Sequence, residues 1–214
     1  MRRVLLMVAA IAFIVSNSIA QENSAPQQTS TDFREKLQIG LKVGMNSSNV
    51  YDAQGNQFNA DFKFGFVGGA FLSIPIGKFL GIQPEVLFSQ KGFMASGNIL
   101  GMSYKFTRTT NFIDIPLLVQ VKPAEFLTLV AGPQYSYLIK QSDVFGNVTM
   151  EQEFNNDNIR KNLFCFIGGL DLNLEHLVVG ARVGWDITKN NGDGTSSNPR
   201  YKNVWYQGTV GFRF

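Results

Sequence analysis

Along most of the chain, apolar and polar residues alternate with a period of two, not with the 3.6-residue period of a helix. From Leu177 to Asp186, one face carries Leu177, Val179, Ala181, Val183 and Trp185. The other carries Gly180, Arg182, Gly184 and Asp186, with Val178 an apolar exception. At the C-terminus Val204, Tyr206, Gly208, Val210, Phe212 and Phe214 alternate with Trp205, Gln207, Thr209, Gly211 and Arg213. The first such stretch sets Leu37, Ile39, Leu41, Val43 and Met45 against Gln38, Gly40, Lys42, Gly44 and Asn46. Five more candidates lie at about 62–74, 80–93, 109–122, 126–140 and 163–174. The pattern predicts eight strands of about ten residues or somewhat more, enough for a tilted strand to cross a bilayer.

Which face is wet separates two kinds of barrel. A soluble barrel turns its apolar side inward, whereas a membrane barrel turns it to lipid and keeps a polar lumen. The polar faces carry mid-strand charges, Lys42, Lys63, Glu85, Lys91, Asp114, Asp171, Arg182 and Arg213, and the apolar faces almost none. Strand pattern alone leaves both barrels open, and the connections decide. Short ones fall near 77–79, 122–125 and 175–176. Long ones, rich in Asn, Gly, Ser and Asp, run over 47–61, 94–108, 141–162 and 187–203. Short periplasmic turns and long extracellular loops mark outer-membrane barrels, and an even strand number returns both termini to the periplasm. The expected fold is all-β: an eight-stranded antiparallel transmembrane β-barrel with up-and-down meander topology. Phe62, Phe64, Phe79, Phe88, Tyr135, Tyr137, Phe164, Trp185, Trp205, Tyr206, Phe212 and Phe214 lie near strand ends, as interfacial girdles would.

The N-terminus changes the picture of charge. Arg2 and Arg3 precede an apolar run from Val4 to Val15, and Ser18-Ile19-Ala20 is a small-x-small cleavage site. Residues 1–20 read as a signal peptide cleaved after Ala20, 21–36 as a disordered periplasmic lead-in, and 37–214 as the barrel domain. An uncleaved anchor is the alternative, disfavoured because the run is too short for a comfortable span. The whole chain has 19 basic and 16 acidic residues, a net charge of +3. Without Arg2 and Arg3 the basic residues number 17 and the net charge is +1. No Lys/Arg run remains in the mature chain, which removes the sequence argument for nucleic acid. Charged residues make up only 16% of the chain, against about 25% in a soluble domain, and 19 Phe and 21 Gly take up much of the remainder. That deficit fits strands whose outer face meets lipid.

Four segments carry a resemblance: Gly40–Asn46, Gln83–Gly92, Ile113–Val119 and Ala131-Gly132-Pro133. From about Leu37 to Phe214 the chain resembles the outer-membrane β-barrel proteins labelled porin-family or PorT-like. The resemblance implies an eight-stranded barrel in a Gram-negative outer membrane, and it implies no single activity. The final strand ends on Phe212 and Phe214, and resembles the terminal signal by which the outer-membrane assembly machinery recognises its clients.

Catalytic chemistry is hard to assemble from these residues. The one histidine, His176, falls in an expected two-residue turn, without Ser and Asp partners at barrel depth. Cys165, the one cysteine, lacks a histidine partner. No cluster has zinc-type ligand spacing, and no cofactor motif is present. The charges of the polar faces can pair with one another, and burial makes that pairing necessary. The expectation is therefore a non-enzymatic, monomeric barrel with a side-chain-filled polar lumen. Its partners would be outer-membrane lipid, the assembly machinery and an extracellular ligand or protein met by the four long loops. Two alternatives stay open: a narrow solute or ion channel, and a lipid-modifying enzyme.

Overall fold

The computed structural model describes residues 33–54, 59–99, 102–145, 148–151, 160–191 and 200–214. The expected signal peptide, its cleavage site at Ala20 and the lead-in as far as residue 32 lie outside the described residues. A 3-10 turn at Phe33–Glu35 precedes nine strands: β1 (Gln38–Gln54), β2 (Asn59–Pro75), β3 (Leu80–Ile99), β4 (Met102–Ala124), β5 (Leu127–Phe145), β6 (Val148–Glu151), β7 (Asn162–Leu174), β8 (Leu177–Asp186) and β9 (Arg200–Arg213).

Eight of these strands close a ring. Neighbours in sequence pair antiparallel, β4 pairs with β5, and β5 passes directly to β7. The last strand returns to the first, from Gly40↔Arg213 to Gln54↔Arg200. Strand β6 stands outside the ring as a hairpin extension of β5, from Ser142↔Glu151 to Phe145↔Val148. Closure removes the free edges that an open sheet would present. The result is an eight-stranded antiparallel meander barrel.

Burial follows the alternation with the sense of a membrane barrel. Leu41 is 57% exposed, while its neighbour Lys42 is 4% exposed. The outer face is a band of Ile39, Val43, Met45, Phe64, Leu117, Val119 and Val210, all exposed. The inner face buries Gln83, Glu85, Gln120, Asp171 and Gln207. No helix among the described residues is long and apolar enough to cross a membrane.

Two groups of connections occupy opposite ends. At one end are the turn around Gly77 and the two-residue turns Glu125-Phe126 and Glu175-His176. Glu175 adopts φ 49, the left-handed conformation that such a tight reversal demands. The opposite end carries the long connections, and here the strands outrun the sequence reading. Strand β3 continues to Ile99 and β4, 23 residues long, starts at Met102, so the loop expected over 94–108 is mostly a hairpin. The loop expected over 47–61 narrows in the same way, because β1 reaches Gln54 and β2 starts at Asn59. Beyond the lipid the outer face no longer has to be apolar, so the alternation fades while the hydrogen-bonded ladder continues.

Two further expectations are corrected. Trp205 belongs to no girdle: it is completely buried inside the barrel. It shares inward parity on β9 with Asn203, Gln207 and Thr209, and parity outweighs its position near a strand end. The end of the lead-in is ordered. Lys122 Nζ donates to the Arg34 carbonyl at 3.0 Å, and the Arg34 side chain reaches Glu125 at 3.5 Å.

Candidate functional site: the filled lumen

The inward positions of eight strands meet in three levels. At the short-turn end lies a chain of polar groups. Ser73 Oγ donates to Gln120 Oε1 at 2.8 Å, the Gln120 amide donates to Gln83, and Gln83 Nε2 donates to Glu85 Oε1 at 2.6 Å. Glu85 is also the hub of the next contacts. Lys42 Nζ lies 2.8 Å from its Oε1 and Arg182 NH1 lies 2.9 Å from its Oε2. The other guanidinium nitrogen of Arg182 lies 3.0 Å from Asp171 Oδ2. Four strands, β1, β3, β7 and β8, supply this quartet, so the pairs tie opposite walls together. Space for it comes from Gly180, where a Cβ would sit 2.7 Å from Asp171 Oδ1 and 2.6 Å from Thr209 Oγ1.

The middle level mixes polar pairs with an apolar core. Lys91 Nζ sits 2.9 Å from Asp114 Oδ2 and 3.7 Å over the Trp205 ring. The ring quadrupole and the carboxylate together neutralise an ammonium that is fully buried. Trp205 fills its site because β8 carries Gly184 opposite it, where a Cβ would fall 2.3 Å from the indole. Around it pack Phe112, Leu118, Val130, Leu138, Leu163 and Ile167. Beside this cluster Cys165 Sγ donates to Asp186 Oδ1 at 3.1 Å, and the Asn203 backbone N–H donates to Asp186 Oδ2 at 2.9 Å.

Toward the long-loop end, Arg108 grips Asp143 with two parallel bonds, Nε to Oδ1 at 2.8 Å and NH2 to Oδ2 at 2.7 Å. Its guanidinium also lies 5.2 Å from the Phe106 ring centroid, and Phe93 packs edge-on against Tyr201 at 5.3 Å. A recess opens here, and another, lined by Gln38, Lys122 and Arg213, opens at the short-turn end.

Of the eight charges expected in the lumen, Lys42, Glu85, Asp171 and Arg182 meet in one quartet and Lys91 and Asp114 in a separate pair. Arg213 lies at the short-turn mouth, where NH1 donates to Gln38 Oε1 and Asn173 Oδ1, both at 3.2 Å. Lys63 joins none of these groups. It is half-buried, and its Nζ donates to the neighbouring Phe64 carbonyl at 3.2 Å. The register between β2 and β3 shifts between Phe62 and Val67, which displaces Lys63 from regular pairing. Phe212 and Phe214 lie exposed on the outer face with ring centroids 5.2 Å apart, and His176 stacks on Phe212 at 5.5 Å.

Sequence reading missed Arg108 and Asp143 because both fell in segments taken as loops. The inward series Phe106, Arg108, Thr110, Phe112 and Asp114 keeps a strict period of two and could have extended β4 upward. It also passed over Asp186, which lies on the polar face of β8 but was not placed among the pairing charges. Among the described residues no group of three or more His, Cys, Asp or Glu is placed to hold a metal.

No curated protein matches the sequence. Among solved structures, Ail, the attachment invasion locus protein of Yersinia pestis, is 13% identical with a TM-score of 0.45, covering 83% of this chain and 98% of that one. Neisserial surface protein A is 10% identical with a TM-score of 0.48, covering 82% and 97%. The outer membrane protein OprG of Pseudomonas aeruginosa is 12% identical with a TM-score of 0.45, covering 85% and 97%. Residues 19–191 match the outer membrane protein beta-barrel domain, most of the 214-residue chain. With its apolar belt, closed ring and polar interior, the chain belongs to the outer membrane protein beta-barrel domain family.

Proposed function

We propose that this protein is a non-enzymatic barrel of the Gram-negative outer membrane whose long-loop end faces the medium and binds a surface partner. In this reading the signal peptide is removed after Ala20, and both termini and the short turns are periplasmic. The outer-membrane assembly machinery engages the last strand through Phe212 and Phe214. The observation that carries the reading is the lumen. Its side chains are tied across the barrel by Lys42, Glu85, Arg182 and Asp171 toward the short-turn end, and packed solid around Trp205 above them. An interior bound to itself in this way leaves interaction to the exposed end. Among the described residues, the buried lumen carboxylates have cationic, thiol or amide partners. The Cys165 thiol donates a hydrogen bond to Asp186, and His176 sits in a turn.

Purified protein in planar bilayers should give no steady open-channel current, and deletion of residues 145–158 should abolish binding to intact partner cells while leaving heat-modifiable gel migration intact. Unchanged cell binding by the deletion variant would overturn the surface role. A narrow solute path is the second reading, favoured by the polar recess at each end of the lumen. Steady currents through wild-type protein would select it.

A further inference from the structure

The recess at the long-loop end has a composition unlike the rest of the lumen. Its floor is apolar, formed by Phe112, Leu138 and Leu163. Its walls are polar, with the side-chain amides of Gln141, Asn190 and Asn203. Thr110 also lines it, 4% exposed, and its hydroxyl is buried without a hydrogen-bond partner among the described residues. A buried hydroxyl left unbonded is costly, so a group lining a recess in this state is poised to bond whatever enters.

Charge narrows the class of ligand. Among the described residues, both charged side chains lining the recess are arginines, and no carboxylate lines it. Arg108 is taken up by its two bonds to Asp143. Arg160 is exposed, and among the described residues its guanidinium makes one bond, Nε to Asn191 Oδ1 at 3.1 Å. That bond fixes the group and leaves its terminal N–H pair for a second acceptor, the geometry suited to a carboxylate. An apolar floor under amide and hydroxyl walls suits a ring with C–H faces and hydroxyl edges.

We propose that this recess is a binding site for a carboxylated sugar: the carboxylate would pair with Arg160, a ring hydroxyl would bond Thr110 and the amides, and the ring face would lie on Phe112, Leu138 and Leu163. The inference deepens the binding role given to the long-loop end, and it rests on that reading only for the side of the membrane from which the ligand arrives. The site is built by strand residues and by loop residues outside 145–158, so its test is separable from the loop deletion.

The experiment titrates D-glucuronate into full-length protein refolded in detergent micelles and follows NMR shifts, with D-glucose and acetate in parallel. The expected result is saturable glucuronate binding in the millimolar range, with glucose and acetate each about tenfold weaker or more. Thr110→Val should weaken glucuronate about five- to tenfold through loss of one hydrogen bond. Arg160→Gln should bring glucuronate down to the level of glucose, and Arg160→Lys should restore part of the difference. Unchanged heat-modifiable migration checks that each variant is folded. Glucuronate binding no tighter than glucose or acetate, equal binding by both variants, or no saturation would each overturn the proposal, whatever the deletion variant does on cells.

Discussion

The two halves of the lumen fill the same cylinder with different chemistry. The short-turn half is held by charge, with Glu85 accepting from Lys42, Arg182 and Gln83 at once. The half toward the long loops is held largely by shape. Trp205, Phe112, Leu118, Leu163 and Ile167 pack as the core of a soluble protein would, with the Lys91–Asp114 pair against Trp205 and the Arg108–Asp143 pair above them. The difference teaches what a barrel interior requires. It need not be polar throughout; it must be full, and each charge inside it must have a partner. An apolar core sits inside an apolar belt because eight inward-facing strands enclose only enough space for side chains, and water is excluded from either kind of filling.

The comparison is broken most severely at Glu85. Glu85→Gln keeps the shape and removes the charge shared by Lys42 and Arg182, and removal of one partner from a buried ion pair costs about 3–5 kcal/mol. Urea unfolding followed by tryptophan fluorescence should report a loss of that order. Adding Lys42→Met should recover part of it by removing the cation that Glu85 no longer balances. A double variant no more stable than Glu85→Gln alone would mean that the two groups are not coupled. In the other half, Trp205→Ala should cost about 3–5 kcal/mol for a different reason, the cavity left in a packed core. Refilling should separate the two causes: Trp205→Phe should recover much of the loss, whereas no apolar substitute at Glu85 should do so while Lys42 and Arg182 remain.

The eight strands, their order and the sense of the barrel were legible in the sequence, because a lipid-facing strand must alternate strictly. Gly40 to Asn46 and Leu177 to Asp186 show this, and both lie in strands of the structure. Strand ends were less legible. Where the outer face leaves lipid, polar residues such as Ser47 and Thr107 stop marking a face, and β1 and β4 read as loops at residues where their ladders still run. The quartet was legible as a set of charges but not as a set of partners. Whether Glu85 meets Arg182, from the far side of the barrel, depends on stagger around the ring, and no single strand encodes that. Trp205 was misassigned because proximity to a strand end was weighed above parity.

The ion pair above the apolar core should matter less than the quartet below it. Arg108 and Asp143 bond in parallel at 2.7 and 2.8 Å, but Arg108 also lines an open recess. Water that enters the recess can solvate the guanidinium when its carboxylate is gone. Asp143→Asn should therefore cost about 1–3 kcal/mol, the range for a buried hydrogen-bonding group stripped of its partner. The same unfolding measurement checks it. A loss equal to that of Glu85→Gln would show that the two levels are equally sealed and would erase the distinction drawn between them.

The smallest effect is expected where sequence pattern alone placed a charge in the network. Lys63 stands on β2 with inward parity toward β1, through its pairing with Ser48. Yet the register shift toward β3 puts it beside Phe64 and Gly92, and its ammonium bonds only the Phe64 carbonyl among the described residues. Lys63→Gln should shift unfolding by no more than about 0.5 kcal/mol, as a partly exposed substitution away from a packed network does. Combining it with Glu85→Gln should give the sum of the two single effects, because groups that share no partner act independently. A large loss from Lys63→Gln, or strong non-additivity with Glu85→Gln, would bring Lys63 into the network and move the boundary between the two halves of the lumen.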